Sequence, residues 1–171
     1  YYPHYFTFSD EAEYFRMSYL LQHGKIIISN ILEVYRYVPF ANHYSPYYPI
    51  GHAILIMPFM IFGLKTLFSF GLLFHLFNLL LFYKILKKLD VDPYFSLLYL
   101  VYPGILFYSK TIMTELPTIF FTFLGFYYYI LADEQVTNNR YSIQVGIFFG
   151  ISCLVRYTNI LIALPLLIIP F

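Results

Sequence analysis

The sequence predicts an all-α integral membrane protein, a bundle of several spanning helices preceded by a polar segment on one side of the membrane. Three observations predict it. Of 171 residues, 60% are hydrophobic and only 11% are charged, against about a quarter charged in a soluble domain, so polar surface to cover a sphere is lacking. The apolar residues fall in blocks separated by short polar breaks, as membrane spans do. Aromatics reach 23%, with 20 Tyr and 20 Phe. Tyr gathers at the block ends (Tyr47, Tyr48, Tyr83, Tyr94, Tyr108, Tyr141, Tyr157), where an amphipathic ring suits the headgroup layer.

Residues 1–49 form the one long polar stretch and carry seven of the nineteen acidic and basic side chains. Within it, Ser9-Asp10 followed by Glu11 to Leu21 predicts a short amphipathic helix. Ser9 or Asp10 would cap it, acids fill its first turn, and Gly24 ends it. Tyr14, Met17 and Leu21 share one face, which suits a helix lying on the membrane surface.

Residues 50–171 are expected to form the transmembrane region, with about five membrane helices. Ile50 to Gly63 is shorter than the roughly 20 residues a span needs, so residues 50–63 read as a re-entrant or interfacial helix or a short span. Thr66–Tyr83 is long enough to cross, and Lys84-Ile85-Leu86-Lys87-Lys88 closes it. Tyr94–Tyr108, Leu116–Ala132, Tyr141–Val155 and Thr158–Phe171 follow as further spans. The chain opens on Tyr1 without an initiator Met and ends at Phe171 within an apolar run, so it is expected to be a fragment truncated at both ends.

Lys84, Lys87 and Lys88 mark the cytoplasmic side by the excess of basic residues found there. Residues 1–49, the loop Ser109–Glu115 and Arg156-Tyr157 then face outside. Net charge of +1 and the lack of a basic stretch interleaved with aromatics give no footing for nucleic acid. The single Cys153 excludes an internal disulfide framework, and the five histidines show no metal-ligand spacing, so no metal ligands are assigned.

On this topology Asp10, Glu11, Lys110, Glu115 and Arg156 gather at one membrane interface. Acids and bases at a lipid boundary can bind a phosphate headgroup and activate a nucleophile, and their burial there is costly enough to mark function. Each also has a plainer reading. Asp10 with Glu13 is a helix-capping arrangement, and Glu115 can be a first-turn acid of its helix. Lys110 and Arg156 can snorkel to headgroups. His75 and Asn78 read as interhelical hydrogen-bond partners, and Gly146-x-x-x-Gly150 as a close helix-packing face.

Four segments resemble GT-C glycosyltransferases, nearest in pattern to dolichyl-phosphate-mannose-protein mannosyltransferases and lipid A aminoarabinose transferases. They are Asp10-Glu11-Ala12-Glu13-Tyr14; Tyr44-Ser45-Pro46-Tyr47-Tyr48-Pro49-Ile50-Gly51 with Pro58 and Phe62-Gly63; Pro103, Tyr108-Ser109 and Thr114-Glu115-Leu116-Pro117; and Gly146, Gly150 and Leu154-Val155-Arg156-Tyr157-Thr158-Asn159. Glu13 stands where the aminoarabinose enzymes often have Arg, which argues against that sugar. The resemblance implies a polytopic GT-C bundle whose extracytoplasmic first loop carries interfacial amphipathic helices.

It also implies transfer, with inversion, from an undecaprenyl- or dolichyl-phosphate sugar to a hydroxyl or amine on a lipid, glycan or protein acceptor. Asp10 would be the base, with Glu11 and Glu115 as further catalytic acids and a divalent cation as an optional cofactor. Tyr14, Tyr48, Lys110 and Arg156 would contact substrate or the lipid phosphate. The setting would be a bacterial or archaeal cell membrane, with membrane lipids around the protein and the active site outside the cytoplasm. A multi-span transporter or lipid flippase, and a catalytically silent GT-C-like scaffold subunit, are the competing expectations.

Overall fold

The computed structural model describes residues 6–25, 37–40, 43–46, 48–134 and 139–162. The chain is predominantly helical. In order it forms α1 (Ser9–Gln22), strands β1 (Tyr37–Phe40) and β2 (His43–Pro46), α2 (Ile50–Ile61) and the single turn α3 (Leu64–Leu67). Then come α4 (Ser69–Lys88), a 3₁₀ turn (Pro93–Phe95), α5 (Ser96–Val101), α6 (Pro103–Tyr108), α7 (Glu115–Glu134), α8 (Asn139–Val155) and a 3₁₀ turn (Tyr157–Asn159).

The all-α expectation holds for the helical framework, beside which one short ribbon lies. β1 and β2 pair antiparallel, from Tyr37 opposite Pro46 to Phe40 opposite His43. An isolated two-stranded ribbon is marginal in water, so it is an addition to the first segment and leaves the helical framework unchanged.

Among the described residues, two helices are long and apolar enough to cross a membrane. Lys65–Lys88 has a mean hydropathy of 1.7 over its best window and Glu115–Glu134 has 1.3. At 1.5 Å per residue each is roughly 30 Å or longer, the thickness of a hydrocarbon core. The 17 residues of α8 and 12 of α2 fall short of that length.

Direction is fixed by contacts at the two ends. Lys88 meets Glu134 at 2.6 Å, so α4 and α7 finish together and run parallel. Arg156 meets Glu115 at 2.9 Å, so α8 returns antiparallel to α7. Between α4 and α7 the chain must climb back, and it does so along α4 through the 3₁₀ turn, α5 and α6. The sequence reading ran one span through Tyr94–Tyr108. That segment is instead two short helices broken at Tyr102, whose ψ of 121° is extended. Pro103 causes the break: its ring drives the preceding residue out of the helical region, and it then opens α6 at a position where its missing N–H costs nothing.

Other boundaries agree with the sequence. Gly24 and Gly63, with φ of 69° and 92°, supply the left-handed residue that stops α1 and α2. The lysines close α4. The last expected span, Thr158–Phe171, lies outside the described residues from 163 onward, as do Glu33 and Arg36.

The core is built from Tyr14 and Met17 of α1, Ala53 and Ile56 of α2, Leu67, Phe68, Phe70, Phe74, and Ile112 and Leu116 before and within α7. The Tyr14–Met17 face therefore packs on protein rather than lying on a membrane surface. Ser18 reinforces it, its hydroxyl donating to Ala53 O at 2.9 Å.

The close-packing glycines are not the expected pair. A Cβ at Gly146 or Gly150 would meet nothing within 4 Å among the described residues. One at Gly71 would sit 2.9 Å from Tyr108 O and closer still to the carbonyls of Ser109 and Thr111. Gly125 likewise receives the ring of Phe149, which seats α8 on α7. Gly71→Ala is therefore expected to cost about 1–3 kcal/mol of overpacking, whereas Gly146→Ala should be neutral or gain about 0.5–1 kcal/mol of helix propensity. Melting temperatures of the two variants in one detergent check the contrast.

Candidate functional site

The Arg156 end of the bundle collects the side chains singled out from the sequence. Glu11 occupies the third position of α1 and is fully buried, at 0% exposure. Its Oε2 accepts from the backbone N–H of Thr7 at 2.6 Å and of Phe8 at 2.9 Å, and its Oε1 accepts from Ile112 N–H at 2.8 Å. Phe8, not Ser9 or Asp10, is the N-cap residue. Glu11 therefore supplies the reach-back half of a cap and bridges to the loop before α7. A carboxylate committed in this way is a structural acid, poorly placed to take a proton from a substrate.

Asp10 is the half-buried neighbour. Its Oδ1 accepts from Tyr48 Oη at 2.8 Å and from Ser9 Oγ at 3.3 Å. Tyr48 in turn packs edge-on to Tyr14, with ring centroids 5.0 Å apart. Burial pushes the Tyr14 hydroxyl well above the ordinary tyrosine range, and the carboxylates of Asp10 and Glu115 and the Tyr48 hydroxyl raise it further, against a lowering contact from Thr114. The Asp10 and Glu115 sides of the site thus converge on Tyr14.

Glu115 opens α7 and pairs with Arg156. Only one of its oxygens is used; Oε2 is buried with no hydrogen-bond partner among the described residues. Thr118, one turn on and 7% exposed, likewise has an unpartnered hydroxyl. Both line a cavity of about 300 Å³ between α7 and the segment from Arg156 to Ile162. Arg156, Thr122, Thr158 and Asn159 complete its polar wall, and Ile119, Phe123 and Ile162 make the other wall apolar.

The turn that carries Arg156 is locked from below. Asn159 Nδ2 donates to Thr122 Oγ1 at 3.1 Å and also to Ser152 Oγ, and the two hydroxyls lie 3.0 Å apart. Lys110 is exposed on the loop between α6 and α7.

His52 of α2 lies beside these groups. It is fully buried, and its ring donates from Nε2 to Ile112 O at 2.6 Å while Nδ1 has no partner among the described residues. Ile112 therefore has its N–H held by α1 and its carbonyl held by α2. The cradle of Tyr14 and Phe70 rings around the imidazole is apolar, and burial pulls its pKa from 6.5 down to about 4.

Of the other sequence-level readings, Asn78 does bond between helices, donating to Leu116 O at 2.9 Å. His75 does not: it stacks on Tyr99 at 5.4 Å, and neither ring nitrogen has a hydrogen-bond partner among the described residues. Among the described residues no three His, Cys, Asp or Glu side chains converge to hold a metal ion. The roles of Thr118, Thr122, Ser152 and Asn159 were not read from the sequence; their only signal there is a hydroxyl or amide within an apolar run. Comparisons with protein-family models, with curated proteins and with solved structures find no match for this chain.

Two outcomes follow. Glu11→Gln turns one acceptor oxygen into a donor facing backbone N–H groups, so stability should fall by about 2–4 kcal/mol, read as a lowered melting temperature. His52 follows the same linkage as any group whose pKa is lowered by folding. Its folded pKa lies below the unfolded one, so the unfolded chain binds the proton first and stability is lost as pH falls. The loss should begin near pH 6.5 and reach about 3 kcal/mol near pH 4, and unfolding curves across that window should flatten in a His52→Phe variant that still folds.

Proposed function

We propose that this chain is part of a multi-pass membrane glycosyltransferase of GT-C type, acting on a polyprenyl-phosphate-linked sugar outside the cytoplasm. The carrying observation is the convergence at one end of two membrane-length helices. There a half-buried aspartate held by a tyrosine shares its neighbourhood with a Glu–Arg pair at the mouth of a half-apolar cavity. The ordered segments that resemble the GT-C family supply the reaction class.

In this reading Asp10 takes the proton from the acceptor hydroxyl or amine, with Tyr48 fixing the carboxylate's orientation through Oδ1. The acceptor oxygen or nitrogen attacks the anomeric carbon from the face opposite the donor phosphate. The bond from that carbon to the phosphate oxygen breaks, its electron pair stays with the leaving polyprenyl phosphate, and the centre inverts. Arg156 offers a planar donor set to the phosphate, and Lys110 adds charge at the rim. Glu115 Oε2, buried and unpartnered, orients an acceptor hydroxyl. Glu11 keeps α1 against the loop before α7 and takes no part in the chemistry.

The test is transfer of radiolabelled sugar from a panel of polyprenyl phosphates by membranes holding the full-length protein. Asp10→Asn should lower transfer by about 10²–10⁴-fold, the usual worth of a positioned base. Glu115→Gln should act mainly through acceptor affinity. Wild-type rates in Asp10→Asn would move the base to Glu115.

One observation favours a second reading, a transporter. The helix broken at Tyr102 runs past buried His75, whose ring nitrogens are unpartnered, and broken helices beside buried polar groups are how many transporters build a substrate site. No transfer with any donor, together with solute uptake by proteoliposomes, would favour it.

A further inference from the structure

At the opposite end of the bundle, Lys84, Lys87 and Lys88 crowd the close of α4 around a cavity of about 560 Å³. Asp90, Tyr127 and Glu134 complete its lining. Glu134 neutralises Lys88 at 2.6 Å and draws it to one side. Lys84 and Lys87 form no ion pair among the described residues, so with Asp90 as the remaining acid the cavity keeps a surplus positive charge.

Its shape in depth is informative. Tyr127 lies seven residues before Glu134 on α7 and Lys84 four before Lys88 on α4, so the lining descends roughly 6–10 Å below the helix ends. Below Lys84, α4 leaves Leu72, Leu76 and Leu80 exposed at four-residue spacing. These leucines and Lys84 share one stripe of the helix. An apolar track therefore leads directly into a cationic cleft.

We propose that this cleft binds the phosphate of an anionic glycerophospholipid, with an acyl chain lying along Leu72, Leu76 and Leu80. The ammonium groups of Lys84 and Lys87 pair with the phosphodiester, the Tyr127 hydroxyl donates to it, and the Glu134–Lys88 pair bounds the site on one side. The proposal rests on the membrane placement of α4 and α7 and not on sugar transfer. A soluble phosphate would satisfy the cations and leave the leucine track without a role, which is why the lipid is the ligand assigned.

The full-length protein in nanodiscs of mixed phosphatidylglycerol and phosphatidylcholine tests this, with retained lipid counted after extraction into mild detergent. Wild type should retain phosphatidylglycerol over phosphatidylcholine, and the Lys84→Gln/Lys87→Gln variant should lose about tenfold of that preference. Leu80→Gln should weaken retention of both lipids while leaving the preference in place.

Equal retention of the two lipids by wild type, or an unchanged preference in the double variant, would overturn the proposal. Displacement of the lipid by inorganic phosphate would overturn it in favour of a soluble-anion site. A melting temperature for each variant separates lost binding from lost folding. Lipid preference without sugar transfer would leave this site standing and sink only the glycosyltransferase reading.

Discussion

The Glu11 carboxylate is the constraint on which the candidate site depends. Taking a charged carboxylate out of water is expensive, and it persists in native structures only where hydrogen bonds replace the lost hydration. Here three backbone N–H groups do so, two from the residues ahead of α1 and one from Ile112. The same residue, Ile112, gives its carbonyl to His52. One residue thus ties α1, α2 and the loop before α7 together, and Gly71 lets α4 press its backbone against that loop. Asp10 and Glu115 come near one another because their immediate chain neighbours are pinned in this way.

The second half of the site is held by neutral polar groups. Thr122, Ser152 and Asn159 close a small network between α7, α8 and the turn that follows. Such a network between helices satisfies groups that an apolar surrounding would otherwise leave bare, and it fixes the axial position of one helix against the other. The consequence is a presented Arg156. Its ion pair is partly exposed, so it contributes little to stability, and its value lies in where it aims the guanidinium.

Much of the framework was legible. Apolar block lengths and the lysine run gave the ends of α4 and α7, and Gly24 and Gly63 marked stops because a left-handed residue is hard to replace there. What was not legible depended on partners far along the chain. Glu11 reads as one of three acids near a helix start, and nothing local says that its second oxygen is needed by Ile112. A G-x-x-x-G pattern names small residues without saying whether a neighbour arrives, and none arrives at Gly146 or Gly150 among the described residues, whereas close contacts are made at Gly51, Gly71 and Gly125. Pro103 was visible, yet the apolar run on both sides masked the break it makes. The acidic cluster of the site was legible as a group; which acid is structural and which is accessible was not.

The bond from Ile112 to Glu11 joins residues 101 positions apart. A ribosome adding about 5–20 residues per second needs on the order of 5–20 s to make that interval. For that time the Glu11 carboxylate has only its local partners, while α4 and the climbing segment behind it are still being made. Until then α1 can rest on α2, through Ser18 and Ala53, but a chain stopped before residue 112 would lack the tie that holds α1 to the loop before α7.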